Sequence, residues 1–417
     1  MKPQLPRPQL PIFSTALQRL RRGQRSTFLV ASGLSTAGSF AGLTAKGWLL
    51  MHGNQNPLLL ALHFAMLTLP TLVVSGWAGV LTDEVGSERV LIRAQWGLFV
   101  AAVLAAIAIP ISQGAIQAML LLASTLGVGI ASAYELTARN KYCALLVENP
   151  DGLGPYLTSF SVVFNVAKLV GPPVGGLLLA TTGPFAALAL DAASYLVPIA
   201  TLLWLMAPNR SAEQRSQKGP QASMAAAWRL CGPGLRRVLI FCALACLVGF
   251  FHPGLAPLMA SELLGPSPLS LGLFTSVIAA GSICGGVWLQ RRAGSLSRKP
   301  GLLLGASAMV SGLAQVGLGL HPHASWGLFM AFLIGAGTAC LLSGTNLIIQ
   351  VHSPQVLRGR MAGLGQIAFL GGGGLSGLLA AGMSLQTGLW PSFLVLGSLG
   401  AALGLWELLT QRHTRLA

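Results

Sequence analysis

Long apolar runs separated by short polar segments make up nearly the whole chain. A helix needs about 20 residues to cross a hydrocarbon core of about 30 Å, and each run is at least that long. Backbone polar groups must find partners inside the bilayer, and runs of this length do not suit a β-barrel. The pattern therefore predicts twelve transmembrane helices, at 27–51, 57–82, 90–111, 114–138, 156–181, 184–207, 237–261, 268–290, 300–320, 324–349, 361–384 and 390–410.

Composition supports the same conclusion. Hydrophobic residues make up 53% of the 417 residues and charged residues only 9%, against roughly 25% charged residues in an ordinary soluble protein. A chain with so few polar side chains cannot cover the surface of a soluble globule. We therefore expect an all-α integral membrane protein that has the lipid bilayer as its solvent.

The basic residues predict the orientation. All lysines and arginines except Lys46 and Lys168 fall on one side of the twelve-span arrangement, whereas the opposite loops at 52–56, 321–324 and 384–388 contain neither residue. The positive-inside rule then predicts both termini in the cytoplasm. We expect the protein to lie in the plasma (inner) membrane. The net charge of +16 is spread over short loops, so it does not predict nucleic-acid binding.

The longest polar segment divides the chain in the middle. We predict a basic N-terminal segment at 1–26, a six-helix bundle at 27–207, a linker at 208–236, a second six-helix bundle at 237–410 and a tail at 411–417. The two halves are similar at an offset of about 200 residues, where GPPVGGLL in the first half corresponds to GGGGLSGLL in the second. Two pseudo-symmetric bundles around a central site are typical of carriers.

Two motifs carry a family resemblance. Residues 79–86, GVLTDEVG, resemble the loop signature of the major facilitator superfamily between its second and third helices, and residues 171–176, GPPVGG, resemble a fifth-helix signature of its exporters. Segments 165–178, 191–196 and 350–363 are similar to the branch that contains enterobactin exporters and macrolide efflux proteins. The resemblance extends over nearly the whole chain from about residue 27.

The resemblance implies the major facilitator fold and a secondary active exporter. It implies alternating access, a small amphipathic substrate that is siderophore-like or drug-like, and coupling to the proton gradient without a bound cofactor. The cavity helices carry few charges, which also favours an amphipathic substrate, and no P-loop for nucleotide binding occurs. We expect a monomer.

The loop signature implies a cytoplasmic gate. In the family the signature aspartate ties the two halves together, and this role falls on Asp83, with Gly79 and Gly86 shaping the turn and Arg89 as its nearby cation. Basic positions of the signature hold Glu84, Ser87 and Glu88 in this chain. The charge pairing of the gate is therefore expected to differ from the family pattern. The alternative is a solvated turn that only links two spans.

Charges inside the spans are the next candidates, because a charge at the centre of a bilayer costs about 2.5–3.5 kcal/mol on insertion scales. Glu135 and Arg139 have the i, i+4 spacing of an ion pair within one helix, although the resemblance offers Arg89 as a partner of Glu135. Lys168 and Asp191 are the deepest opposed charges of the first half. They are expected to bond to each other, or Asp191 is expected to exchange a proton during transport.

Several uncharged or isolated polar residues complete the set. Asn165, His252, Asn346 and Gln350 are candidates for lining a cavity, while His63 is expected to bond between helices. Lys46 is expected to extend to the outer interface, with a gate role as the alternative. Gly171, Pro172, Gly175 and Gly176 predict either a hinge or a tight seam in the fifth helix. No metal site is predicted, since His321 and His323 lack further ligands.

A different class of function remains open at this point. The chain could be a non-transporting membrane sensor or an integral-membrane enzyme built on a carrier scaffold. An enzyme should show clustered catalytic groups, but the sequence contains no HExxH, no GxSxG and no acid pair at helical spacing within a span. A transporter that is not an enzyme is therefore the preferred interpretation.

Overall fold

The computed structural model describes residues 11–54, 56–147, 150–205, 228–353 and 358–410. Within these ranges, 12 helices are long and apolar enough to cross a membrane, which confirms the prediction of an all-α membrane protein. In chain order spans 1 to 6 are Pro11–Asn54, Pro57–Thr68 with Pro70–Val85, Ser87–Ile111, Gly114–Leu146, Pro150–Thr181, and Pro184–Ser194 with Leu196–Ala200 and a π-helix at Thr201–Leu205. Spans 7 to 12 are Pro233–Gly249 with His252–Leu264, Pro268–Leu296, Pro300–Leu320, Ala324–His352, Arg358–Thr387 and Leu389–Thr410.

The bundle has two membrane faces, which we name by the spans that begin or end there. The terminal face is the end where span 1 begins and span 12 ends, and the opposite face carries the connections after the odd-numbered spans. Arg25, in the first half of span 1, donates from Nε to the carbonyl oxygen of Leu146 at the end of span 4, at 2.7 Å. Arg237 and Glu407 join the start of span 7 to the end of span 12. The predicted linker and tail fall at 208–227 and 411–417 outside the described residues, and the division into domains stays a prediction.

The reversal between spans 2 and 3 is shorter than the sequence predicted. One helix ends at Val85 and the next begins at Ser87, so that Gly86 alone makes the turn, with φ +101°. A side chain would strain this left-handed conformation. Gly79 lies inside the helix, with no neighbouring atom within 4 Å of the place where its Cβ would be. The prediction that both glycines shape the turn is therefore wrong.

Span 7 is broken in its middle, although the sequence predicted one continuous helix. The first part ends at Gly249 and the second begins at His252. Pro253 explains the break, because a proline ring clashes with the carbonyl four residues earlier and has no N–H to give it. That carbonyl belongs to Gly249, and it accepts a hydrogen bond from Nε2 of the buried Gln315 in span 9 at 2.7 Å. Gln315 thus gives the carbonyl oxygen of Gly249 the hydrogen bond that it loses where the helix is broken.

Small residues set the distance between packed spans. Between spans 9 and 12, Gly312 lies directly against the backbone of Gly397 and Ala401. Between spans 8 and 10, Gly281 contacts Phe332 in the same way. Close packing of helix backbones compensates for the absence of a hydrophobic driving force between helices in lipid. Many other large apolar side chains are exposed on the outside of the bundle, as at Trp204, which is 80% exposed.

Candidate functional site

The two halves meet along a seam between spans 5 and 8. A Cβ at Gly176 would lie 2.6 Å from the carbonyl oxygen of Pro268, and one at Gly272 would lie 3.0 Å from the carbonyl oxygen of Pro172. Ser276 donates from Oγ to the carbonyl oxygen of Leu169 at 3.0 Å. Because span 5 is one continuous helix through its prolines, the structure shows a tight seam here rather than a hinge.

The other glycines of the fifth-span motif face span 1. A Cβ at Gly171 would overlap the carbonyl oxygen of Ala37 and the Cβ of Phe40, and a Cβ at Gly175 would overlap the backbone of Ala41. The motif therefore packs span 5 against one neighbour in its own half and one neighbour in the other half. Glycines that form one motif in the sequence therefore contact different spans in the structure: Gly171 and Gly175 contact span 1, and Gly176 contacts span 8.

A second seam joins spans 2 and 11. Gly374 lies against Thr68 and Leu69, and Gly371 lies against the side chain of Leu72. Counted at 1.5 Å per residue from the span ends, the seam between spans 5 and 8 lies between the opposite face and the middle of the bundle, and the seam between spans 2 and 11 lies around the middle. The halves are therefore held together in close contact from the middle of the molecule toward the opposite face.

A buried polar cluster lies within the first half, in the part of the bundle toward the opposite face. Its members come from spans 1, 2, 4 and 6 and are Lys46, His63, Ser124, Thr125 and Asp191. Nζ of Lys46 donates to Oγ of Ser124 at 3.0 Å and lies 4.0 Å from Oδ2 of Asp191. Thr125 Oγ1 and His63 Nδ1 form a hydrogen bond of 2.9 Å. The lysine and the aspartate are 1% and 2% exposed, so both charges are removed from water.

The cluster corrects two predictions about charges. The charge partner of Asp191 is Lys46 and not Lys168, and Lys46 does not extend to the interface. The physical reason is the glycine pair of span 1, where Gly38 faces Ser194 and Gly42 faces the carboxyl group of Asp191. These glycines leave room for span 6 to approach span 1 and direct the carboxylate toward it. His63 does bond between helices, as predicted.

Lys168 remains as an isolated cation. It lies at the middle of the apolar part of span 5, Pro155–Thr181, about 20 Å from either end of that part at 1.5 Å per residue. Among the described residues it has no ion pair and no hydrogen bond, and no carboxylate is close enough for its charge to act on the ammonium group. Its own charge acts on His252 in the other half. The side chain is half-buried.

His252 lies beside the break of span 7, within a group of aromatic rings. The ring of Phe250 contacts three other rings. The distances between ring centroids are 5.1 Å to His252, 4.5 Å to Phe369 of span 11 and 6.0 Å to Phe64 of span 2. His252 is 2% exposed, and its Nδ1 has no hydrogen-bond partner. This aromatic group therefore joins the two halves and holds one buried polar atom that has no partner at hydrogen-bond distance among the described residues.

The other candidate cavity residues are placed differently from one another. Asn165 is half-buried and donates from Nδ2 to the carbonyl oxygen of Ser161, one turn earlier, at 2.8 Å. Asn346 is half-buried beside Gly365 of span 11. Gln350 is exposed near the terminal end of span 10. No hydrogen bond joins these three side chains to one another in the described part of the chain, and their role in lining a cavity stays a prediction.

The gate residues lie at the terminal face. Oδ1 of Asp83 accepts from Nζ of Lys141 in span 4 at 2.7 Å, so a cation far away in the sequence pairs with the loop. Arg89 is exposed and does not take this place. Sequence reasoning put Lys141 in a loop, whereas span 4 continues as a helix to Leu146 and carries it. A contact of Asp83 with the second half stays a prediction.

Two ion pairs lie near the same face. Glu135 and Arg139 form the intrahelical pair that their spacing predicts, at 3.0 Å. Glu407 was missed by sequence reasoning. It is 1% exposed and binds NH2 of Arg237 at 3.3 Å, and the guanidinium also lies 5.4 Å from the centre of the Trp406 ring. An acid inside the last apolar run was the signal that could have found this pair.

Comparisons with known proteins agree with this architecture. The family model described as a transmembrane secretion effector of the major facilitator type matches residues 14–412. The multidrug efflux pump Tap of Mycolicibacterium fortuitum is 24% identical over 388 residues, covering 90% of this chain and 93% of the pump. The staphyloferrin A transporter of Staphylococcus aureus is 25% identical over 265 residues, covering 61% of this chain and 64% of that protein.

Solved structures show the same fold. The nucleoside transporter NupG superposes with a TM-score of 0.73 at 14% identity, covering 93% of this chain and 99% of that one. The peptide transporter POT, solved in complex with alafosfalin, superposes with a TM-score of 0.71 at 12% identity, covering 92% and 93% of the two chains. At these identities the likeness concerns the arrangement of the helices alone.

Proposed function

Because the chain belongs to the transmembrane secretion effector family of major facilitator transporters, we propose that it exports a small amphipathic molecule, siderophore-like or drug-like, by alternating access. The match to a multidrug efflux pump over nine-tenths of the chain supports export, and the match to the staphyloferrin A transporter supports a siderophore-like substrate. The proposed location is the plasma membrane, with the terminal face in the cytoplasm. The basic residues of that face support this orientation.

The observation that carries the mechanism is the tight seam between the halves toward the opposite face. Spans 5 and 8 meet backbone to backbone at Gly176 and Pro268, and spans 2 and 11 meet near Gly374. We take these seams as the closed outer gate of a state that receives its substrate from the cytoplasm. Export then requires the seams to open while the halves close at the terminal face, where Asp83 and Lys141 lie.

We assign proton coupling to Asp191. Its carboxylate is buried beside Lys46, and its Oδ1 has no hydrogen-bond partner among the described residues. Tyr195 on the same span and Lys46 are the ionisable groups that act on it, and the charge of Lys46 reaches His63 as well. Protonation of Asp191 would remove its attraction for Lys46 and loosen the contact between spans 1 and 6. One proton could thereby change how the helices of the first half pack.

Transport into everted membrane vesicles tests the function. With the cytoplasmic side outward and the lumen acidified, vesicles that contain the protein should accumulate at least one member of a panel of siderophores and amphipathic antibiotics. Vesicles without the protein should not. The accumulation should disappear when nigericin collapses the pH gradient. A folded protein that moves no member of the panel would overturn the export proposal.

The coupling residue is tested separately in the same vesicles. Asp191→Asn should abolish accumulation that is driven by the pH gradient while downhill substrate flux continues. The matched control is Glu262→Gln, because Glu262 is an exposed acid of span 7, and this variant should accumulate substrate as the wild type does. Full pH-driven accumulation by folded Asp191→Asn protein would rule out the proton role and leave the export function standing.

A further inference from the structure

Lys168 is a cation for which the described part of the protein provides no anion. A charge at this depth costs about 2.5–3.5 kcal/mol on insertion scales unless it is paired or hydrated. The only acid of the neighbouring spans that sequence reasoning had offered as a partner, Asp191, is taken by Lys46. Such a lysine is expected to serve a ligand or a water-filled space.

The surroundings of Lys168 point to an internal space and not to lipid. The ammonium group is desolvated by surrounding protein, yet the side chain keeps part of its accessible surface. Its charge acts on His252 across the boundary between the halves. The next residue, Leu169, accepts the hydrogen bond of Ser276 at the seam. Lys168 therefore lies where the tight contact between the halves ends.

The aromatic group on the other side of this boundary supplies the second observation. Among the described residues, the buried Nδ1 of His252 has no partner at hydrogen-bond distance, although the backbone of Gly249 acts on the ring. Native proteins rarely leave such an atom without a partner. Phe250 lies beside it at the break of span 7, where its half-buried ring contacts Phe64 from the first half. A cation, an imidazole nitrogen without a described hydrogen-bond partner and a half-buried aromatic ring thus occur at one depth of the bundle.

From this arrangement we propose that Lys168, His252 and Phe250 form an anion-selective substrate subsite that takes the carboxylate of an aromatic or otherwise apolar amphiphile. This inference rests on the proposed export function and narrows its substrate class. Lys168 supplies a charge-assisted hydrogen bond to the carboxylate. Nδ1 of His252 gains the partner that it lacks, and the ring of Phe250 covers the apolar part of the molecule. Amphiphilic cations are disfavoured in this subsite by the like charge of Lys168.

Equilibrium binding to the full chain in nanodiscs tests the subsite without any ion gradient. The probes are 2-naphthylacetate, its neutral isostere 2-naphthylacetamide and the cation 2-(2-naphthyl)ethylammonium, each corrected for binding to empty nanodiscs. A hydrogen bond to a charged group predicts that the carboxylate binds at least ~10-fold more tightly than the amide, with the cation the weakest of the three. Lys168→Met should remove the preference for the carboxylate and leave affinity for the amide within about two-fold.

Three variants separate charge recognition from structural effects. Lys168→Arg should keep the preference, and Lys168→Gln should lose it in the same way as Lys168→Met. Lys299→Met, at an exposed lysine of the terminal face, should bind all probes as the wild type does. The proposal is overturned if Lys168→Met retains the preference for the carboxylate, if it weakens all three probes equally, or if the wild type shows no preference. None of these binding results would change the outcome of the vesicle transport assay, which tests the export function separately.

Discussion

The substitution Gly176→Ala should open the seam between spans 5 and 8. The new Cβ would lie 2.6 Å from the carbonyl oxygen of Pro268 and 3.2 Å from the carbonyl carbon. An ordinary contact of this kind needs roughly 3.4 Å or more, so the methyl group is about 0.8 Å too close to a backbone that cannot rotate away. The spans must separate by a comparable amount.

The energetic effect follows from this overlap. Overpacking of a tight contact costs typically 1–3 kcal/mol, which corresponds to roughly a 5-fold to 150-fold change in an equilibrium constant. Alanine also favours the helix over glycine by about 1 kcal/mol in any state. The variant should therefore fold and remain stable while its population moves from the closed seam to the open one.

Distance measurement by double electron–electron resonance detects this movement. Spin labels are attached to cysteines introduced at the exposed positions Thr182 and Leu269, at the ends of spans 5 and 8 near the opposite face, after replacement of the six native cysteines. Gly176→Ala should shift the distribution toward longer distances. Gly382→Ala is the matched control, because nothing lies within 4 Å of the Cβ that it adds, and it should leave the distribution unchanged.

Either of two results would refute the reasoning. An unchanged distribution in Gly176→Ala would mean that the halves are not held together at this seam. An equal shift in the control would mean that added helix propensity, and not the contact with Pro268, moves the equilibrium.

Two further predictions concern buried polar groups. Lys46→Met should destabilise the protein by about 3–5 kcal/mol because it leaves the charge of Asp191 buried without a partner. Adding Asp191→Asn to this variant should restore most of the lost stability. Chemical unfolding of the wild type, both single variants and the double variant checks this, and simple additivity of the two single losses would contradict it. Gln315→Leu should cost about 1–3 kcal/mol because the carbonyl oxygen of Gly249 loses its donor at the break of span 7. Thermal unfolding against Gln350→Leu, at an exposed position of span 10, should show the loss in the first variant only.

The number and positions of the spans were readable from the sequence, because each span has to be apolar over its own length. Their ends were harder to place. Span 4 continues beyond the apolar run to Leu146, since a helix can carry charges such as Lys141 once it leaves the hydrocarbon. The break at Gly249 was also missed, although Pro253 was its visible signal.

The fifth-span motif shows how far a local pattern reaches. Its glycines and prolines indicated close packing or bending, and close packing is what the structure contains. Which neighbour each glycine contacts could not be predicted, because this depends on how span 5 is rotated between span 1 and span 8. Gly175 faces the first of these and Gly176 the second, although they are adjacent in the chain.

The sequence by itself determined a twelve-helix membrane protein, the face that carries its basic loops and the family of transporters that it resembles, because hydropathy and short motifs are properties of single segments. The tertiary structure alone decided which charges meet. Lys46 and Asp191 are 4.0 Å apart because Gly42 lets span 6 approach span 1, and this leaves Lys168 without its expected partner. Pairing inside a bundle depends on the rotation and spacing of whole helices, which are set by the small residues of several spans at once.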